Sequence, residues 1–170
     1  VEGKVAYLSL VQLQAGVTWQ KSHYTRPEKW SKDSSVPAEK RIFRTPDWYG
    51  YFTATYSPVK PLNIALSGTY TGSMIVQHMK GYIPKDIAVT TPDFFDMNLK
   101  ISYDFSLYKF ITLQLNAGIQ NIFNAYQRDF DQGKERDSGY IYGPSMPRSY
   151  FAGAKLMSVS YTHLTLPTKL

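Results

Sequence analysis

Ile111-Thr-Leu-Gln-Leu-Asn-Ala-Gly-Ile-Gln120 alternates apolar and polar side chains without a break. Ile111, Leu113, Leu115, Ala117 and Ile119 share one face of an extended chain, and Thr112, Gln114, Asn116, Gly118 and Gln120 share the other. This period of two identifies a β-strand with one wet face. The pattern recurs at 95–105, where Phe95, Met97, Leu99, Ile101, Tyr103 and Phe105 oppose Asp96, Asn98, Lys100, Ser102 and Asp104. It recurs at 62–74, with Leu62, Ile64, Leu66, Gly68, Tyr70, Gly72 and Met74 on one face, and at 11–20. Less regular versions occupy 48–57 and 148–157. No window repeats the i, i+3, i+4 spacing of a helix, so the chain reads as all-β, with six antiparallel strands between residues 5 and 158.

The connections alternate between short and long. Four-residue turns are expected at 58–61 and 106–109, and long segments at 21–47, 77–93 and 124–147. Three long structureless loops are uncommon in a compact soluble domain. They are expected in an outer-membrane barrel, where periplasmic turns are short and extracellular loops long. Aromatics support this reading. Trp19, Trp48, Tyr49 and Tyr51 lie where strands enter the first long loop, and Tyr56, Tyr103, Phe105, Tyr108 and Phe110 lie around the short turns. Two such belts suit rings with an apolar body at the acyl boundary and a polar tip among headgroups. Ordinary cross-strand packing of aromatics is the competing explanation. A soluble lipocalin-type barrel would show the same period, but six strands are too few to close around a useful cavity.

Composition bounds the rest. The 170 residues are 43% apolar and 15% aromatic, which excludes a disordered chain, and no apolar run is long enough for a membrane-spanning helix. There is no cysteine, hence no disulfide, thiolate metal site or cysteine nucleophile. The net charge of +6 raises the question of nucleic acid, but the basic residues of 21–47 are diluted by Glu28, Asp33, Glu39 and Asp47 among prolines. A solvated loop explains them, and no nucleic-acid partner is expected.

Three stretches carry a family resemblance. Residues 116–124 (Asn-Ala-Gly-Ile-Gln-Asn-Ile-Phe-Asn), a loop ending at 140–144 (Tyr-Ile-Tyr-Gly-Pro) and residues 147–155 (Pro-Arg-Ser-Tyr-Phe-Ala-Gly-Ala-Lys) resemble the last two strands of TonB-dependent outer-membrane receptors. The 68–78 and 94–97 segments resemble strands of Bacteroides-type members that import iron chelates or cobalamin. The resemblance implies the last six strands of a barrel of about 22 strands. It also implies an N-terminal plug outside this chain, and uptake powered by an inner-membrane energy-transducing complex. Residues 159–168 (Val-Ser-Tyr-Thr-His-Leu-Thr-Leu-Pro-Thr) depart from the family ending and resemble a translated sequencing adapter, so 159–170 is expected to be a non-native tail.

No catalytic constellation emerges. His23, His78 and His163 lack the spacing of a metal site, no Gly-x-Ser-x-Gly elbow occurs, and Asp129 and Asp131 sit in a mixed-charge loop. The chain is expected to be non-enzymatic, with no cofactor and no protein metal site. The polar ladder Gln12, Gln14, Asn98, Lys100, Asp104, Gln114, Asn116 and Gln120 is expected to face a lumen and its plug. Loop residues Tyr24, Trp30, Arg41, Arg44, Tyr82, Tyr126 and Arg128 could stack on or pair with an anionic chelate, and His78 could ligate one from above. The expected partners are outer-membrane lipid and a small-molecule metal chelate or vitamin. The expected function is active import of ferric siderophore, haem or cobalamin. A passive porin, a SusC-like oligosaccharide importer and a soluble β-barrel carrier are the rivals.

Overall fold

The computed structural model describes residues 1–8 and 10–158. Eleven strands follow in order: β1 (Glu2–Tyr7), β2 (Val11–Trp19), β3 (His23–Glu28), β4 (Glu39–Arg41), β5 (Trp48–Val59), β6 (Leu62–Thr71), β7 (Ile75–His78), β8 (Ile87–Thr90), β9 (Phe94–Tyr108), β10 (Ile111–Gln120) and β11 (Ser149–Ser158). No helix occurs among the described residues. Seven strands form one antiparallel sheet in the order β1-β2-β5-β6-β9-β10-β11, while β3-β4 and β7-β8 form two small hairpins.

Four expectations are corrected. The sheet has a seventh strand, β1, whose short segment pairs with β2 from Glu2↔Gly16 to Tyr7↔Val11. The long segments at 21–47 and 77–93 are not structureless, since each contains a hairpin. Strands β5 and β9 run on to Val59 and Tyr108, leaving connections of only 60–61 and 109–110. Finally, β6 stops at Thr71, so Gly72 and Met74 do not extend its face.

Register turns the period-two pattern into two continuous faces. One row reads Leu13, Ala54, Leu66, Leu99, Ile119 and Tyr150 across six strands, and the neighbouring row reads Gln14, Thr53, Ser67 and Asn98. Cross-strand aromatic–glycine pairs pin this register. The Phe52 ring lies over Gly68 on the apolar face and the Phe151 ring over Gly118 on the polar face, each where a Cβ would collide with it. Tyr49 and Tyr51 pair with Thr18 and Gly16, on the polar face. They therefore do not belong to the belt of Trp19 and Trp48.

The apolar face is not covered: Leu115 is 43% exposed and Trp19 63%. The buried core lies elsewhere, in Met74, Val76 and Tyr140 with Val89 and Tyr142 packed on them. These residues belong to the long connections, which all leave the same end of the sheet; the short turns lie at the other end.

Candidate functional site

The three long connections fold together into a cap over one end of the sheet. The chain leaves β10 through Asn121 and Asn124, both at positive φ (52° and 55°), a conformation asparagine tolerates better than most residues. The Asn124 N–H donates to the Asn121 carbonyl, and the Asn121 amide ties Ala125 and Met146 together. Gln127, 1% exposed, then acts as a surrogate strand. Its amide nitrogen donates to the Tyr140 carbonyl at 3.1 Å and its oxygen accepts from the Tyr142 N–H at 2.9 Å. With every polar atom of this buried amide engaged, 124–147 is ordered without a helix or strand of its own.

Connections two and three are joined by a buried pair. His78 Nε2 lies 2.9 and 3.0 Å from the two oxygens of Asp131, whose side chain is 2% exposed. A carboxylate only accepts, so Nε2 carries the proton. The imidazole stacks on Tyr140 with ring centroids 3.7 Å apart. Asp137 accepts from the Met79 and Gly139 N–H groups at 2.8 Å each. Connection one is joined by Arg44, which adopts φ 59°. Its N–H donates to the Ile75 carbonyl, and its guanidinium donates to the carbonyls of Ile141 and Gly139. Ser31 also donates to Asp86 at 2.5 Å.

Electrostatics follow from these bonds. Burial opposes ionisation of Asp129, but hydroxyl donation from Tyr142 at 2.6 Å and Tyr140 at 2.8 Å outweighs it and holds the carboxyl below its usual range. Burial and the same carboxylate push the Tyr142 phenol up to about 12, and Tyr140 also upward. Ser31 and the Lys80 N–H lower Asp86 likewise. The cap thus spends carboxylates on internal donors. Among the described residues no Lys or Arg comes within 4.0 Å of a carboxylate, so no lysine or arginine among them is neutralised by an ion pair.

The loop candidates divide accordingly. His78 is buried rather than solvated, with its Nε2 committed to Asp131, and Arg44 spends its guanidinium on backbone carbonyls. Trp30 packs edge-on against Phe43 at 5.2 Å and donates to the Pro37 carbonyl, closing the first hairpin. Arg41 lies in β4, paired with His23. Tyr24 and Tyr82 are exposed, and the Arg128 guanidinium lies 5.1 Å from the Tyr126 ring centroid. The polar ladder Gln12, Gln14, Asn98, Lys100, Asp104, Gln114, Asn116 and Gln120 shares one face by register. Within it Gln114 donates to Asp104 at 2.7 Å, and Gln14 to Glu2 at 2.7 Å.

Two cavities lie beneath the cap. One, of about 500 Å³, is lined by Gln20, Arg44, Tyr49, Tyr51, Thr69 and Thr71 among others. The other, of about 370 Å³, lies between Asp96, Asn98 and Gln120 on the polar face and the 144–147 segment. The sequence pattern does not single out Tyr49, Tyr51, Gln127, Tyr140 or Tyr142 as site residues. The one available signal was the i, i+2 spacing of Tyr140 and Tyr142 opposite Asp129. Among the described residues no group of three or more metal-ligating side chains occurs, and His163 and the 159–170 tail lie outside them.

No protein-family profile and no curated protein sequence matches the chain. Solved structures do. A mutant ferric enterobactin receptor from Pseudomonas aeruginosa is 17% identical with a TM-score of 0.54, and a second mutant of it in complex with enterobactin is 15% identical with a TM-score of 0.54. Each likeness covers 93% of this chain but 22% of the receptor. At this identity the likeness shows the fold: an all-β antiparallel sheet of the kind found in a TonB-dependent receptor barrel.

Proposed function

We propose that this chain is the C-terminal part of an outer-membrane active transporter that binds and imports a scarce nutrient chelate, a ferric siderophore, haem or cobalamin, with energy from the TonB system. The carrying observation is the inverted sheet, whose apolar face is exposed while its polar face holds the hydrogen-bonded ladder. On that apolar face Trp19, Trp48, Tyr70, Phe95 and Tyr150 lie towards the cap, and Tyr56, Tyr103 and Phe105 towards the short turns. Phe95 and Phe105 are about 33 Å apart along β9, which at a tilt of about 40° is about 25 Å along the membrane normal. That is the height of the apolar band of an outer-membrane barrel.

The ladder residues face the lumen in this reading, where a plug supplied by the longer chain meets them. The cap, whose Asp86, Asp131 and Asp137 carboxylates are engaged by internal donors, gathers the ligand, with the exposed Tyr24, Tyr82 and Arg128 and the half-buried Tyr126 as its contacts. Residues 159–170 have no part in it. The test is uptake by cells that depend on the full-length protein, with radiolabelled ferric siderophore, haem and cobalamin offered in turn. Accumulation of one of them that stops when the inner-membrane complex is disabled supports active import. Uptake that persists without that complex points to a passive porin, and uptake of an oligosaccharide alone to a SusC-like importer.

A further inference from the structure

We propose that Asp129, Tyr140 and Tyr142, gathered on the third connection of the cap, ligate ferric iron directly, as one carboxylate and two phenolates. The inference rests on the transport reading above and narrows its ligand to a ferric chelate with exchangeable positions. Four oxygen atoms converge here. The Tyr142 hydroxyl lies 2.6 Å from one oxygen of Asp129, and the Tyr140 hydroxyl 2.8 Å from the other. Metal–oxygen bonds of about 2.0 Å at right angles set neighbouring oxygens about 2.8 Å apart, so an ion takes the place of the two hydroxyl protons with little movement of the side chains.

The three side chains are held from behind and open in front. Gln127 fixes the backbone of both tyrosines, through the Tyr140 carbonyl and the Tyr142 N–H. The Tyr140 ring stacks on His78 at 3.7 Å, and the Tyr142 ring packs on buried Phe94 at 6.0 Å. Rings locked in this way hold their hydroxyls in one place. Asp129 itself is exposed and Tyr142 half-buried, so a solute reaches the oxygens. No Lys or Arg of the described residues lies within 4.0 Å of the carboxylate, and the adjacent Arg128 turns to the Tyr126 ring. The charge of an open carboxylate is therefore left for a cation from outside the chain.

Donor chemistry selects the ion. His, Cys, Asp and Glu form no group of three among the described residues, so this cluster becomes a metal site only by way of its phenols. Phenolate and carboxylate are hard oxygen donors, and a phenol gives up its proton near neutral pH only to a strongly polarising ion. Two phenolates and a carboxylate together balance the charge of Fe(III). Ligation breaks the two O–H bonds, sends both protons to solvent, forms iron–oxygen bonds and leaves the iron ferric. Haem and cobalamin do not fit, because a macrocycle leaves its metal only two positions on opposite sides, whereas these side chains approach from one.

The test titrates the full-length protein, purified in detergent and stripped of metal, with ferric nitrilotriacetate. The expected result is a saturable visible band of phenolate-to-iron charge transfer. Tyr142→Phe, which keeps the ring and the Gln127 clamp, should weaken binding about tenfold or more, as should Asp129→Asn. The double change Tyr140→Phe with Tyr142→Phe should abolish the band, and Tyr108→Phe, near a short turn, should leave it unchanged. A parent without the band, or a band that survives the double change, overturns the proposal. Where a variant loosens 124–147 in amide exchange, the parent decides: iron should slow exchange at 127–142, and unchanged exchange there overturns the proposal. Uptake of the radiolabelled ferric chelate is scored in parallel. A parent that imports the chelate without the band defeats this inference alone, whereas a band in a parent that imports nothing upholds the iron site and defeats the transport reading.

Discussion

Leu115→Arg is the substitution that separates a lipid-facing surface from an exposed surface in water. Leu115 lies on the apolar face, opposite Tyr103 on one side and Ala154 on the other. Strand β10 spans about 34 Å, or about 26 Å along the normal at a tilt of about 40°, and Leu115 is about 10 Å above its start, close to the bilayer midplane. A charge there costs about 2 to 4 kcal/mol. That range corresponds to a shift of about 30- to 900-fold in the folding equilibrium. In water the same change at a 43% exposed position would cost about 0.5 kcal/mol or less. Gln114→Arg, one residue away, is the control, since it enters the polar face beside Asp104 and should be far milder. Reversible folding of the full-length protein into lipid vesicles, followed by denaturant titration, measures both. Equal tolerance of the two substitutions, or a greater penalty for Gln114→Arg, would refute the assignment of faces.

Three other expectations concern the cap and the tail. His78→Ala leaves Asp131 buried beside only the Asp137 N–H, so the cap should lose about 3 to 5 kcal/mol, read as faster amide exchange at 124–147 with the sheet unchanged. Tyr142 should ionise near pH 12 in an ultraviolet titration. Its neutral form is the one stabilised, so that contribution is complete below the ordinary value of 10.0 and is lost as pH rises towards 12; the Asp129 contribution runs oppositely, complete above the usual carboxylate value of 3.8 and lost as pH falls below it. Tyr142→Phe should accordingly move acid opening of the cap to higher pH, checked by exchange rates between pH 3 and 5 (about the carboxylate range). Resequencing the locus past the codon for Met157 should replace residues 159–170 with a short native end closing in an aromatic residue; recovery of the same ending from independent DNA would defeat the adapter reading.

The sheet was legible because its information is local. A period of two places Leu113, Leu115 and Ala117 on one face whatever their partners are, and where that period stops it locates the short turns, though at four residues each rather than two, because the strand ends at Val59 and Tyr108 continue pairing past the break in the pattern. Strand β1 escaped because its apolar face offers only Gly3, Val5 and Tyr7, too few to announce a period before pairing with β2 supplies it. The cap escaped for a different reason. His78 and Asp131 are 53 residues apart, and Arg44 meets Ile141 from 97 residues away. No periodicity links such residues, so a His and an Arg in polar segments read as free ligands when they are tie points between loops. The likeness of Gln127 to a strand was equally hidden, because it depends on the backbone of Tyr140 and Tyr142 being brought alongside.

The central claim is that the cap faces outward and the short turns inward across a membrane. Single cysteines at Ser34, Lys134 and Lys60, all exposed positions, test it in the cysteine-free background of this chain. An impermeant maleimide applied to intact cells expressing the full-length protein should label Ser34→Cys and Lys134→Cys, and should label Lys60→Cys only after the cells are broken. Labelling of Lys60→Cys in intact cells with Ser34→Cys silent would invert the topology, and equal labelling of all three in a soluble fraction would contradict the membrane barrel itself.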